Sequence, residues 1–110
     1  MKFSLKGKDK LKKEAWMMDF TFKQEENRFA AYDQEHNEAG EATFSRAGDN
    51  ILIIDHTSVK DNYRGQGVAG KLVKHIVEKA REDHQKIMPL CPFAKAEFDK
   101  HEEYQDVLHS

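Results

Sequence analysis

The chain has few of the residues that form disulfides or interrupt regular secondary structure, with one cysteine and two prolines among its 110 residues. A single cysteine excludes an intramolecular disulfide and fits a reducing compartment, so we expect the cytoplasm. No apolar run approaches the roughly 20 residues of a membrane span. The N-terminal segment contains lysines but no apolar core of a secretory signal. These absences argue against a membrane protein and against export.

What the chain does contain is the composition of a small globular domain, with 38% hydrophobic and 35% charged residues. The net charge of -2 is unevenly spread, because six lysines and only two acids fall within residues 1–17. We therefore expect a Lys-rich extension at residues 1–17 and a single domain at residues 18–110. The domain is acidic, which disfavours nucleic acid as a partner, although the lysines could bind an anionic surface.

Hydrophobic periodicity predicts the element order β-β-β-β-α-β-α. The clearest element is a helix over residues 67–84, where apolar residues recur every three or four positions. A helical crossover predicts that the fifth strand runs parallel to the fourth. The predicted strands are residues 19–23, 28–35, 41–46, 51–59 and 87–91, and a second helix is predicted over residues 92–101.

Residues 65–70, Gly-Gln-Gly-Val-Ala-Gly, directly open the long predicted helix. Glycine lets a ligand approach the backbone closely. The first N–H groups of a helix lack partners and carry partial positive charge, so this loop predicts a phosphate site. It fits a dinucleotide fingerprint, most of a Walker A motif when Lys71 is added, and the pattern R-x-x-G-x-A when Arg64 is added.

Two of these three patterns fail on their context. A Walker A motif needs Ser or Thr after the lysine, and Leu72 stands there. A dinucleotide loop turns directly out of its strand and is followed about 20 residues later by an acidic residue. Here the polar residues 60–64 intervene, and too little chain follows Gly70 for the rest of a doubly wound sheet.

The third pattern resembles the acyl-CoA pyrophosphate loop of the GNAT acetyltransferases. The resemblance rests on residues 59–69 and continues through 89–95 and 104–107, so that it covers roughly residues 20–108. It implies an α+β fold (α/β by some schemes), a minimal GNAT-like domain with a mixed, mainly antiparallel five-stranded sheet and two helices. The usual helices between the first two strands would be missing, because residues 24–27 are too few to form one.

The resemblance also implies a co-substrate, acetyl-CoA, and an amine as acceptor. The end of the fourth strand would pair with the pantetheine arm, and amides of the loop would bind the pyrophosphate. The residues implied in coenzyme binding are Thr57, Val59, Arg64, Gly65, Gln66, Gly67, Val68, Ala69, Gly70 and Lys71.

The resemblance implies that catalytic groups lie between the fourth and fifth strands, where members of the family have their cleft. Cys91 stands at the predicted start of the last helix, whose dipole favours a thiolate that could act as acid or nucleophile. His56 could take a proton from the acceptor, and it is predicted to share a strand face with Leu52 and Ile54. Each also has a structural interpretation, as a small buried side chain or as a core histidine.

The final helix departs from the family pattern, because Phe98 stands where many members carry a proton-donating tyrosine. Tyr104 and Tyr63 are possible substitutes. This departure leaves open the alternative of a non-catalytic module that binds coenzyme A or has a regulatory role. A second alternative is an anion or nucleic-acid binder that uses the Lys-rich extension. The histidines lack metal-ligand spacing, so no metal is predicted, and nothing in the sequence specifies an oligomer.

Overall fold

The computed structural model describes residues 20–109, and the predicted Lys-rich extension lies outside them. Its five strands form one sheet in chain order. The first four pair antiparallel, and the fifth pairs parallel to the fourth. This confirms the predicted fold class. The strands are β1 (Thr21–Glu25), β2 (Arg28–Tyr32), β3 (Glu38–Arg46), β4 (Ile51–Val59) and β5 (Lys86–Pro89), and the α-helices are α1 (Val68–Glu82) and α2 (Pro92–Lys100).

The turn between β1 and β2 is as short as the sequence predicts. Glu25 pairs with Arg28, so Glu26 and Asn27 alone connect the two strands, with Glu26 at a φ of 54°. The helices that a full GNAT domain inserts at this point are therefore absent from the described residues.

Helix α1 covers the sheet and anchors the loop that precedes it. It contacts β2, β3, β4 and β5, and α2 packs beside it over β4 and β5. Burial of each large apolar side chain of α1 contributes about 1.5–3 kcal/mol. None of the helices within residues 20–109 combines the length and the apolar character that crossing a bilayer requires. The buried residues of α1 are Val68, Leu72, Val73, Ile76, Val77 and Ala80.

A β-bulge lies in the middle of β4. Neighbouring residues Thr43 and Phe44 of β3 pair with His56 and Ile54, so Asp55 is an extra residue in β4. An extra residue reverses the alternation of side chains along the strand. Ile54 is buried whereas His56 is exposed. The prediction that His56 shares a face with Ile54 is therefore wrong.

The predicted element ends also shift by a few residues. β2 stops at Tyr32 instead of residue 35, because the Asp33 carboxylate closes a turn. Its Oδ1 accepts the N–H groups of Glu35 at 2.9 Å and Asn37 at 2.8 Å. β1 and β5 are displaced by one or two residues, and β3 begins three residues earlier than predicted.

Candidate functional site

A cleft opens where β4 and β5 separate. Their parallel pairing ends at Ile54 and Pro89. The next two N–H groups, of Leu90 and Cys91, both donate to the Ile54 carbonyl at 3.2 Å. β4 nevertheless continues to Val59 and stays paired with β3 throughout. Beyond Ile54, β4 therefore has a backbone edge that β5 does not use.

The glycine-rich loop presents bare backbone at the N-terminus of α1. Gly67 is the N-cap residue with φ 76° and ψ 14°, and Gly65 has a φ of 82°. A Cβ built on either glycine would have no heavy atom within 4 Å. The Lys71 N–H donates to the Gly67 carbonyl at 3.1 Å. The amides of residues 68–70 precede that bond and have no acceptor within the helix, so they can bind an anion.

A groove of about 500 Å³ joins this loop to helix α2. Most of the predicted coenzyme residues meet there, whereas Thr57, Gln66 and Lys71 do not line it. Thr57 lies instead at the cleft, and Lys71 is exposed on α1. The groove is lined by Val59, Tyr63, Arg64, Gly65, Gly67, Val68, Ala69, Gly70, Phe93, Glu97 and Lys100.

The far wall of the groove was not predicted from the sequence. It consists of Phe93, Glu97 and Lys100 on α2. Their spacing of four and three residues places them on one helix face. That spacing was the available signal, but it identifies a groove wall only when the position of α2 relative to α1 is known.

The groove contains charges of both signs. Arg64 and Lys100 are mostly exposed, and each contacts an acid: Arg64 Nε lies 3.2 Å from Asp61 Oδ1, and Lys100 Nζ lies 3.0 Å from Glu97 Oε2. Glu97 is buried, with a relative exposure of 5%. Two exposed cations thus line the groove, and one buried carboxylate forms part of its wall.

Cys91 bridges the cleft between the separating strands. It is the N-cap residue of α2, and its Sγ lies 3.6 Å from the Thr57 Oγ1 of β4. Burial of the thiol opposes ionisation, but hydrogen bonds from the Ala94 and Phe93 N–H groups and from Thr57 outweigh it and lower the pKa of Cys91. A thiol with a lowered pKa therefore lies at the point where β4 and β5 separate.

The other predicted groups lie apart from this thiol or are already engaged. His56 is exposed on the face of β4 opposite Ile54. The Tyr63 hydroxyl donates to Asp33 Oδ2 at 2.5 Å, and this bond raises the pKa of Tyr63. Phe98 is buried, and the Tyr104 ring packs against it with centroids 5.5 Å apart.

No three His, Cys, Asp or Glu side chains within residues 20–109 form a group that could hold a metal ion.

Comparison with known proteins identifies the family of this chain. The sequence model of a family of GCN5-related N-acetyltransferases matches residues 28–107. A GCN5-like protein from Staphylococcus aureus, solved by NMR, is 44% identical over 82% of this chain and 88% of its own, with a TM-score of 0.68. The chain therefore belongs to the GCN5-related N-acetyltransferase family, and it is an acetyltransferase by that membership. No curated protein matched it.

More distant structures share the fold alone. A GNAT family N-acetyltransferase from Escherichia coli in complex with CoA is 21% identical, with a TM-score of 0.53, over 77% of this chain and 46% of its own. A GNAT family acetyltransferase from Elizabethkingia anophelis with acetyl-CoA bound is 14% identical, with a TM-score of 0.54, over 88% and 59%. This chain spans about half the length of these two relatives.

Proposed function

We propose that this protein binds acetyl-CoA in the groove between α1 and α2 and transfers the acetyl group to an amine. The observation that carries the proposal is the continuity of three features. Free amides at residues 68–70 can hold a diphosphate. The groove leads from them along Val59. The unpaired edge of β4 then leads to the cleft at Cys91.

Each part has a defined role in the reaction. The loop amides and Arg64 bind the diphosphate, and the edge of β4 pairs with the pantetheine arm. The acceptor nitrogen attacks the thioester carbonyl, the C–S bond breaks, and the coenzyme leaves as a thiolate that needs a proton. Cys91 either donates that proton or first accepts the acetyl group itself. His56, on the opposite face of β4, is proposed as the base on the acceptor side.

Direct binding is the first test of the proposal. Calorimetry with acetyl-CoA and coenzyme A should give saturable heat with one site per chain. Native mass spectrometry of freshly purified protein should show a retained mass that matches coenzyme A. Failure to bind either form would overturn the proposal.

We place the protein in the cytoplasm, on the grounds of its single cysteine.

Replacing Cys91 by serine should slow acetyl transfer by about 100-fold, the usual contribution of one proton-transferring or nucleophilic group. The affinity for acetyl-CoA should change by less than about twofold, because the serine hydroxyl keeps the size and the contact to Thr57. Steady-state kinetics with a panel of primary amines, together with calorimetry, measure the two effects. Cys91→Ala is the matched variant, and rates equal to wild type would return Cys91 to a packing role.

A coenzyme-binding module without turnover is the second candidate. The observation that favours it is buried Phe98, which has no proton to donate where the family commonly has tyrosine. Tight binding of coenzyme A without transfer to any amine, by both wild type and Cys91→Ala, would select this candidate. An anion-binding role of the Lys-rich extension is separable from both, because deletion of residues 1–17 would abolish it and leave coenzyme binding intact.

A further inference from the structure

Glu97 is a buried acid in the wall of the groove where we propose that the diphosphate binds. It lies on α2 with a relative exposure of 5%, and a Cβ added to Gly70 would lie 3.3 Å from its Oε1. Gly70 belongs to the first turn of α1, next to the free amides of the loop. The carboxylate therefore lies where the positive end of the helix dipole stabilises negative charge. A bound diphosphate would use the same field.

Glu97 is held by two basic side chains, one on its own helix and one just beyond it. Its Oε2 lies 3.0 Å from Lys100 Nζ, and its Oε1 lies 3.5 Å from His101 Nε2. The other His101 nitrogen, Nδ1, lies 3.1 Å from Glu103 Oε2. Lys100 thus has a buried partner at one side, but its own side chain is mostly exposed and lines the groove.

We propose that Lys100 is a second phosphate-binding cation of the groove and that Glu97 is the residue that limits coenzyme affinity. Without ligand, Glu97 holds the Lys100 ammonium beside the first turn of α1. When the diphosphate enters, Lys100 interacts with it together with Arg64, and the fixed carboxylate repels it. The opposing charge weakens binding of the coenzyme and so favours release of the product.

The inference rests on the proposed coenzyme groove and makes opposite predictions for the two residues. Lys100→Met should weaken acetyl-CoA binding by about threefold, a change suited to an exposed cation. Glu97→Gln keeps the shape of the side chain and removes its charge, so it should tighten binding by about fivefold. Neither change should alter the affinity for S-acetylpantetheine, because this thioester has the arm of the coenzyme but no diphosphate.

The experiment is calorimetry of wild type and variants with acetyl-CoA and with S-acetylpantetheine. Lys95→Met on α2 and Glu78→Gln on α1 are matched controls, since these exposed residues do not line the groove, and both should bind as wild type does. Lys100→Arg should retain the wild-type affinity. Should Glu97→Gln fail to fold, as judged by circular dichroism, Lys100→Met and Lys100→Arg still decide the role of the cation.

Three results would overturn the inference. The first is unchanged acetyl-CoA affinity of Lys100→Met. The second is a loss of affinity by Lys100→Met that is equal for acetyl-CoA and S-acetylpantetheine. The third is a folded Glu97→Gln variant that binds acetyl-CoA no more tightly than wild type. Absence of binding by the wild-type protein would instead overturn the coenzyme groove itself, so the two failures are distinguishable.

Discussion

Replacing Gly67 by valine should weaken acetyl-CoA binding by about 100-fold or more. Gly67 has a φ of 76° at the N-cap of α1, a conformation that costs a β-branched residue about 1–2 kcal/mol. The added side chain would also occupy the open space over the loop, where the structure has no heavy atom within 4 Å. Displacing the diphosphate from two amides removes charge-assisted hydrogen bonds of about 1.5–3 kcal/mol each.

The chain offers a matched control for this variant. Gly48, in the turn between β3 and β4, has a φ of 82° and equally open space around a Cβ. Gly48→Val should therefore carry a similar backbone penalty and lower the melting temperature by a similar amount. It should leave coenzyme affinity unchanged, because this turn is not part of the groove. Equal affinities for Gly67→Val and Gly48→Val would contradict the phosphate role of the loop.

The parts of the site that the sequence predicts are those formed by local chain geometry. Glycines at positions 65 and 67 indicate positive φ angles and an open backbone, and the apolar stripe of α1 indicates which face of the helix is buried. Both follow from neighbouring residues alone. The loop, α1 and the parallel pairing of β5 are therefore predictable without a structure, and the structure contains all three.

The parts that were missed depend on contacts between distant residues. The bulge at Asp55 reverses the side-chain direction of His56. No local sequence pattern in β4 predicts that Asp55 is an extra residue. Glu97 becomes part of the groove only through the packing of α2 beside Gly70. The hydrogen bond between Tyr63 and Asp33 joins residues 30 positions apart. Such contacts are set by tertiary packing, which strand and helix periodicities do not encode.

That last contact links the β2–β3 turn to the glycine-rich loop. Asp33 is buried and accepts the Tyr63 hydroxyl at 2.5 Å as well as the N–H groups of Glu35 and Asn37. Tyr63 directly precedes Arg64 and lines the groove. The hydrogen bond from Tyr63, followed by that from the Asn37 N–H, lowers the pKa of Asp33 from 3.8 to about 2. The ionised carboxylate therefore stabilises the fold and holds one end of the loop.

Replacing Asp33 by alanine should lower the melting temperature by about 10 °C near neutral pH, because it leaves the buried Tyr63 hydroxyl and the partly buried N–H groups of Glu35 and Asn37 without this acceptor. It should also weaken acetyl-CoA binding, since Tyr63 loses its fixed position. Tyr63→Phe removes only the hydroxyl and keeps the ring, which lies edge-on to Phe20 with centroids 5.8 Å apart, so its effect should be smaller. Exposed Asp99→Ala is the control and should melt close to wild type.

The pH dependence of the difference in melting temperature between wild type and Asp33→Ala tests whether the carboxylate is its source. Because the folded-state pKa of Asp33 is depressed, its stabilisation is complete above the unfolded value of 3.8 and is lost as pH falls through about 2. The gap in melting temperature between wild type and Asp33→Ala should thus be constant from about pH 7 to pH 5 and shrink steadily between about pH 4 and pH 2. Thermal melts by circular dichroism across this range measure it. A gap that stays constant down to about pH 2 would mean that Asp33 acts through packing, and the charged link to the glycine-rich loop would be refuted.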